Sequence, residues 1–167
     1  MYESDWVNVY LDDVELPDGK HIDHHVLDFP RGSAGAVLVN DRQQVLLIWR
    51  HRFITDRWGW EVPAGWIDDG EEPQAAVLRE IEEETGYRVG HLEPLIEYSP
   101  LAGISTQHYW TYVASQPEYI RDGRGNETTQ LEWFTIAEVR KLARTGQITD
   151  GPSLLILSYF LGIHGNI

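Results

Sequence analysis

Apolar and polar positions change rhythm several times along the chain, and each rhythm predicts an element. Val7, Val9 and Leu11 alternate with Asn8, Tyr10 and Asp12, which predicts a strand with one buried face. Pro17-Asp18-Gly19 marks a turn, and residues 21–29 read as a second, weaker strand. Pro30-Arg31-Gly32-Ser33 separates this opening piece from the rest of the chain. Residues 34–39 and 44–49 are β-rich runs joined by Asn40-Asp41-Arg42-Gln43, a hairpin pattern. The second run is apolar on both faces, as a central strand is. Residues 92–98, 108–114 and 131–135 read as further strands. Helical signals are fewer. Residues 136–144 predict a helix with Thr135 as N-cap and Glu138 at the capping-box position. Gly146 ends it, and an apolar helix over 152–161 comes next, too short to span a membrane.

The remaining helix signal carries the chemistry. Residues 65–87 read GWIDDGEEPQAAVLREIEEETGY and hold eight of the 27 acidic residues. Pro73 suits a first helical position and Gly86 the left-handed position past the end. Between them lies about 20 Å of helix. Glu80, Glu83 and Glu84 fall on one face of it. Like charges at this spacing cost a bare helix roughly 0.2–0.5 kcal/mol per pair. Arg79 can offset part of that through Glu83. A hard cation can offset the rest, because Mg²⁺ is held by one or two carboxylates together with phosphate oxygens. The plain alternative is a solvated acidic face, and the spacing argues against it.

Composition narrows the class of protein. A chain of 167 residues is about one domain. It has no cysteine, so disulfides and thiolate metal sites are excluded. No apolar run approaches the ~18 residues that cross a membrane, and the opening residues lack a signal-peptide layout. A soluble cytoplasmic protein with no membrane partner is expected. A net charge of −14 argues against nonspecific nucleic-acid binding. It leaves room for a small anionic substrate, since a bound divalent metal reverses the local sign.

Several side chains are weighed against ordinary roles. His24 and His25 are adjacent on a strand and point to opposite faces, so they do not share an ion. Arg50 and Arg52 close a central strand. Arg52 is the chosen phosphate contact, because a guanidinium suits a diphosphate. Trp58 and Trp60 are assigned to packing ahead of base stacking. The polar, Gly-rich stretch 119–130 is either an exposed loop or a flap that carries Glu127.

The acidic stretch resembles the Nudix box: Gly, five residues, Glu, seven residues, Arg-Glu, an aliphatic, one residue, Glu-Glu, one residue, Gly and an aliphatic. Gly65, Glu71, Arg79, Glu80, Ile81, Glu83, Glu84 and Gly86 fill these places, and Tyr87 stands in the last aliphatic one. The match spans 23 of 167 residues. The run Glu61-Val62-Pro63-Ala64-Gly65 is similar to the one that precedes the box in Nudix enzymes of nucleoside diphosphate sugars. The loop Ser99-Pro100 with Gly103 and Ser105 is similar to that of ADP-ribose pyrophosphatases, although Leu101-Ala102 intervene before the glycine. Gly146-Gln147-Ile148-Thr149-Asp150 resembles the ending of the same branch.

The resemblance implies an α/β fold, the Nudix α/β/α sandwich with a mixed sheet, plus an N-terminal antiparallel β extension. It implies Mg²⁺, with Mn²⁺ as substitute, held by Glu80, Glu83, Glu84 and the backbone carbonyl of Ala64. Arg79 and Gly65 support the site. Arg52, Glu61 and Ser105 contact substrate. Glu127 is the expected general base, with Glu83 the alternative and Glu132 a weaker one. Residues 1–30 are expected to build a homodimer interface and 31–167 the Nudix domain. The expected reaction is hydrolysis of the diphosphate bond of ADP-ribose or a related nucleoside diphosphate sugar. Nucleoside triphosphates or dinucleoside polyphosphates are the alternative substrates. A non-catalytic nucleotide-sugar-binding module is the alternative class.

Overall fold

The computed structural model describes residues 1–121 and 128–163. The opening strands β1 (Asn8–Glu15) and β2 (His21–Asp28) pair antiparallel as a sheet of their own. Gly19, at φ 82°, makes the turn between them. The remaining strands form one mixed sheet. They are β3 (Ser33–Val39), β4 (Gln44–Arg52), β5 (Arg57–Glu61), β6 (Ala64–Trp66), β7 (Tyr87–Tyr98), β8 (Tyr109–Tyr119) and β9 (Thr128–Thr135). The order is β5-β4-β3-β8-β7, with β6 on β3 and β9 on β4. β3 runs parallel to β8 and antiparallel to β4.

Alternation along β3 explains the layers. Ala34, Ala36 and Leu38 face one core with Ala76, Val77 and Ile81 of α1 (Pro73–Thr85). Val37 and Val39 face the other, with Val139 and Leu142 of α2 (Ile136–Arg144) and Ile156, Leu157 and Phe160 of α3 (Gly151–Ile163). A strand buried on both faces must be apolar along nearly its whole length, and β3 is. The result is an α/β/α sandwich with a mixed sheet. Among the described residues no helix is long and apolar enough to cross a membrane.

The helix signals hold. Pro73 starts α1, and Gly86 closes it at φ 74° with its N–H on Glu82 O at 3.0 Å. The Thr135–Glu138 capping box of α2 is formed in both directions. Two strands lie where the pattern predicts none. β5 and β6 are short and interrupted by Pro63, so they show no alternation of their own. Pairing with β4 and β3 makes them strands. β7 also begins five residues earlier than its pattern predicts, directly after Gly86. Its first residues lie at a half-exposed sheet edge, where polar side chains hide the period.

Backbone bonds tie the opening sheet to the loop between β7 and β8. Leu27 N–H donates to Ile104 O at 2.8 Å, and Thr106 N–H donates to Leu27 O at 3.0 Å. Phe29 stacks on Trp66 with 5.9 Å between ring centroids. This stacking brings the N-terminal segment to the mouth of a cavity beside α1.

Candidate active site

That cavity, of about 540 Å³, opens between α1, the β5–β6 segment and the start of α3. Glu80 and Glu84, one turn apart on α1, line it with Ala64 and Gly65 of β6. Helix and strand meet closely here. A Cβ at residue 65 would stand 2.2 Å from the Glu80 carboxyl carbon, so only glycine admits that carboxylate. Ala64 N–H donates to Glu84 Oε2 at 3.1 Å. Arg79 clasps the entry to the helix. It donates to Glu80 Oε1 at 2.6 Å, to both oxygens of Glu71 at 3.1 and 2.9 Å, and to Trp66 O at 2.9 Å.

Opposite stand two arginines of β4. Arg52 grips Glu61 with Nε at 2.9 Å and Nη2 at 2.5 Å. Arg50 is 5% exposed and donates from Nη2 to Glu84 Oε1. Its Nη1 lies 3.7 Å from Glu61 Oε2. Its Nε has no partner among the described residues. The β4–β9 ladder shifts register between Trp49 and Arg50, a bulge of the kind that re-aims side chains.

Burial sets the electrostatics. Desolvation pushes Glu84 up to about 7, against the pull of Arg50. Desolvation also raises Glu80, opposed by Arg79, and Glu61, opposed by Arg52. Glu71 is lowered by its hydrogen bond from Arg79. Three carboxylates out of water therefore depend on cations to stay ionised. The far end of the cavity is aromatic. Trp6 meets Trp66 edge-on at 6.2 Å, and the Arg31 guanidinium lies 5.8 Å over the Trp6 ring.

Seven of the residues singled out in the sequence thus converge: Arg52, Glu61, Ala64, Gly65, Arg79, Glu80 and Glu84. Two lie elsewhere. Glu83 is 55% exposed, 3.5 Å from Arg79, and lines an adjoining surface cleft that shares Arg79 with the cavity. Ser105 bridges to Leu27 of β2, and its Oγ accepts Gln107 N–H at 3.0 Å. Glu127 lies outside the described residues. Of the two tryptophans assigned to packing, Trp60 is 7% exposed against Phe134, and Trp58 stacks on Trp49.

Sequence pattern alone does not single out Arg50, Arg31, Trp6, Tyr109 or Asp150 as site residues. Arg50 carries a signal, since it is a charge at the end of a strand apolar on both faces. Arg31 sits in a segment that reads as a separator, and Trp6 in one that reads as an extension.

The donors suit a divalent cation of a particular kind. Among the described residues no three His, Asp or Glu side chains converge to hold a metal ion. Of the three buried carboxylates on the cavity, Glu61 is taken by Arg52, which leaves Glu80 and Glu84 beside Ala64. That set fits an ion that completes its shell with substrate phosphate oxygens and water, as Mg²⁺ does, and not an all-protein cage.

A mixed sheet between helices, with this carboxylate helix against a glycine, defines a Nudix-type fold and site. Comparison with known proteins agrees. The NUDIX domain profile matches residues 29–154, and that of the nucleoside diphosphate sugar hydrolase N-terminal domain matches residues 1–27. The chain belongs to the Nudix hydrolase family and is an enzyme of it. It is 37% identical to a CMP-5'-(N-acetyl-N-hydroxy-3-aminopropyl)phosphonate hydrolase of Streptomyces rubellomurinus, over 99% of this chain and 80% of that one. It is 26% identical to an ADP-ribose pyrophosphatase of Bacillus subtilis, over 95% of this chain and 87% of the relative. It is 28% identical to a GDP-mannose pyrophosphatase of Citrobacter koseri, over 88% and 83% of the two chains. The crystal structure of an ADP compounds hydrolase shares the fold, with a TM-score of 0.84 at 20% identity over 100% of this chain and 92% of the other.

Proposed function

We propose that this enzyme hydrolyses the diphosphate bond of ADP-ribose or a related nucleoside diphosphate sugar, with Mg²⁺ or Mn²⁺, giving a nucleoside monophosphate and a sugar phosphate. One observation carries the reading. A single cavity joins an aromatic end, Trp6 and Trp66, to a charged centre of Glu80, Glu84 and Arg52. A base has a π-face to stack, and a diphosphate next to it needs cations.

Glu80 and Glu84, with the Ala64 carbonyl, would hold the metal. Bound there, it supplies Lewis-acid polarisation of phosphoryl oxygens and a more acidic water. Arg79 opposes the effect of burial on Glu80 and fixes its carboxylate. Glu61 holds the Arg52 guanidinium in one plane, so Arg52 meets the diphosphate pre-oriented. Glu127 takes the proton of the attacking water, with Glu83 second for that role. Ser105 contacts substrate in this reading.

Residues 1–30 serve as a dimerisation element in this reading. A two-stranded sheet is marginal by itself, and β1–β2 leaves Leu11 and Ile22 46% and 42% exposed. A homodimer would cover them.

The test is turnover on ADP-ribose, GDP-mannose, UDP-glucose, dinucleoside polyphosphates and nucleoside triphosphates, with Mg²⁺ and Mn²⁺. A strong preference for triphosphates overturns the reading. No turnover on any of them returns the protein to a binding role. A mixed anhydride of a nucleoside monophosphate and a phosphonate belongs in the same panel, because the Streptomyces relative is 37% identical over nearly the whole chain.

A further inference from the structure

The charged centre does not close at Arg52. A second cleft, of about 670 Å³, opens beside it, and Arg52, Tyr109 and Asp150 line both. Its other walls include Ile54, Arg57 and Thr149. Both volumes lie within the range of small-molecule sites, roughly 300–1,000 Å³. The walls are fixed to each other. Trp60 N–H donates to Gln147 O at 2.9 Å, and Thr149 Oγ1 packs where a Cβ on Gly59 would stand, at 2.5 Å.

Arg57 is the unexplained member. It is the Cα partner of Arg52 across the β4–β5 pair. Like charges directly opposite on paired strands repel. Glu61 answers the charge of Arg52. Among the described residues no acidic side chain pairs with Arg57. Asp150 is the one carboxylate on the cleft wall among the described residues. Its Oδ2 already accepts Ser153 N–H at 2.8 Å and Ser153 Oγ–H at 2.7 Å.

We propose that this cleft is the subsite for the half of the substrate beyond the diphosphate, and that Arg57 selects a distal half bearing a second anionic group. The inference rests on the diphosphate reading of the first cavity. With the base at Trp6 and Trp66 and the diphosphate at Glu80, Glu84 and Arg52, the rest of the substrate extends past Arg52, into this cleft. Thr149, Asp150 and Tyr109 offer hydroxyl and carboxylate partners to sugar hydroxyls, and Ile54 gives an apolar wall. Arg57 adds a planar fork that matches two anionic oxygens. A carboxylate or a phosphate on the distal half meets that description.

The test reads binding without turnover. Dissociation constants of glucose 1-phosphate, glucuronic acid 1-phosphate and glucose 1,6-bisphosphate are measured by calorimetry with Mg²⁺ on the full chain and on Arg57→Ala, Arg57→Lys and Arg57→Glu. The full chain is expected to bind one or both acidic ligands about tenfold tighter than glucose 1-phosphate, the effect of one charge-assisted fork. The tighter of the two identifies the anion as carboxylate or phosphate. Arg57→Ala should bring the ratio to about one, Arg57→Lys should restore part of it, and Arg57→Glu should reverse it. Equal affinities in the full chain, or a preference that survives in Arg57→Ala, overturns the proposal. Such a failure leaves the hydrolase reading standing. Absence of turnover on the substrate panel removes that reading and this inference with it.

Discussion

The Glu80 carboxylate occupies the space a side chain at Gly65 would take, its carboxyl carbon 2.2 Å from where a Cβ would stand. A larger residue at 65 would displace the Glu80 carboxylate, because the atoms nearest the added Cβ are those of the carboxylate itself. Gly65→Ala is therefore predicted to displace Glu80, weaken Mn²⁺ binding and lower kcat/KM by about 10² or more, as a misplacement of about 1 Å does. The helix and both cores do not depend on that contact, so the circular dichroism melt should stay within a few degrees. Mn²⁺ affinity equal to that of the unaltered enzyme would falsify this account of Gly65.

Arg52 and Glu61 form a pair with one exposed and one buried member, at 43% and 1% side-chain exposure. Removing Arg52 leaves Glu61 in the interior with Arg50 at 3.7 Å. A fully buried pair costs about 3–5 kcal/mol to break. Solvent screens this one, so Arg52→Ala is predicted to cost about 2 kcal/mol. The double variant Arg52→Ala with Glu61→Gln should recover about half of that, since no charge is stranded. Urea unfolding of the four proteins in the cycle measures it. Strict additivity would mean that the two side chains do not act as a pair. Arg52→Ala is also predicted to raise KM for the diphosphate substrate, and unchanged KM and kcat would remove Arg52 from the phosphate site.

Burial lifts Glu84 to about 7, and it lifts Glu80 and Glu61 in the same direction. The folded protein then keeps a proton that the unfolded chain releases near a normal glutamate value of about 4.3. The stability this proton gives is full below the unfolded value and is lost as pH rises through about 7. The metal-free protein should melt lower at about pH 8 than at about pH 6. Added Mg²⁺ or Mn²⁺ favours the ionised carboxylates, so its gain in Tm should be larger at the higher pH. Glu84→Gln has no proton to lose and should flatten both trends. Melting curves across this range with EDTA or with metal decide it, and equal slopes in Glu84→Gln would assign the effect to other groups.

The parts of the fold that are legible in the sequence are those in which local signals and tertiary packing agree. Pro73 and Gly86 bound α1, Thr135 and Glu138 cap α2, and the apolar runs of β3 and β4 show strands buried on both sides. β5 and β6 are hidden because their strand character comes from pairing with β4 and β3, not from their own five and three residues. In the site, Glu80 and Glu84 are legible because helical spacing fixes their common face. Arg50 is hidden because a charge at a strand end ordinarily faces solvent, and here Glu84 of α1 and Glu61 of β5 hold it in the interior. Trp6 and Arg31 are hidden for another reason. Their place at the cavity comes from a ring stack and two backbone bonds between segments far apart in sequence, and no local pattern encodes such a meeting.

Glu83 and Glu127 compete for the proton of the attacking water, and the surroundings of Glu83 weigh against it. Glu83 is 55% exposed on the outer side of Arg79 and does not line the cavity of Glu80 and Glu84, although the cleft it lines shares Arg79 with that cavity. A general base must come within hydrogen-bond reach of the water it activates. On that ground Glu83→Gln is predicted to lower kcat by less than about threefold at saturating metal, the loss coming from a weaker hold on Arg79. Glu127→Gln is predicted to lower kcat by about 10²–10⁴, with Mn²⁺ affinity and Tm unchanged, because proton transfer alone is removed. The amide keeps the shape of the carboxylate, so a fall in kcat without a change in metal binding cannot be laid to misfolding or a lost ligand. If Glu83→Gln shows the large loss and Glu127→Gln the small one, the roles are reversed, and α1 then has to bring Glu83 across Arg79 when substrate binds. The kcat pH profile tells the same two cases apart. Removal of the true base abolishes the acidic limb, whereas removal of a neighbour that only braces Arg79 leaves that limb in place.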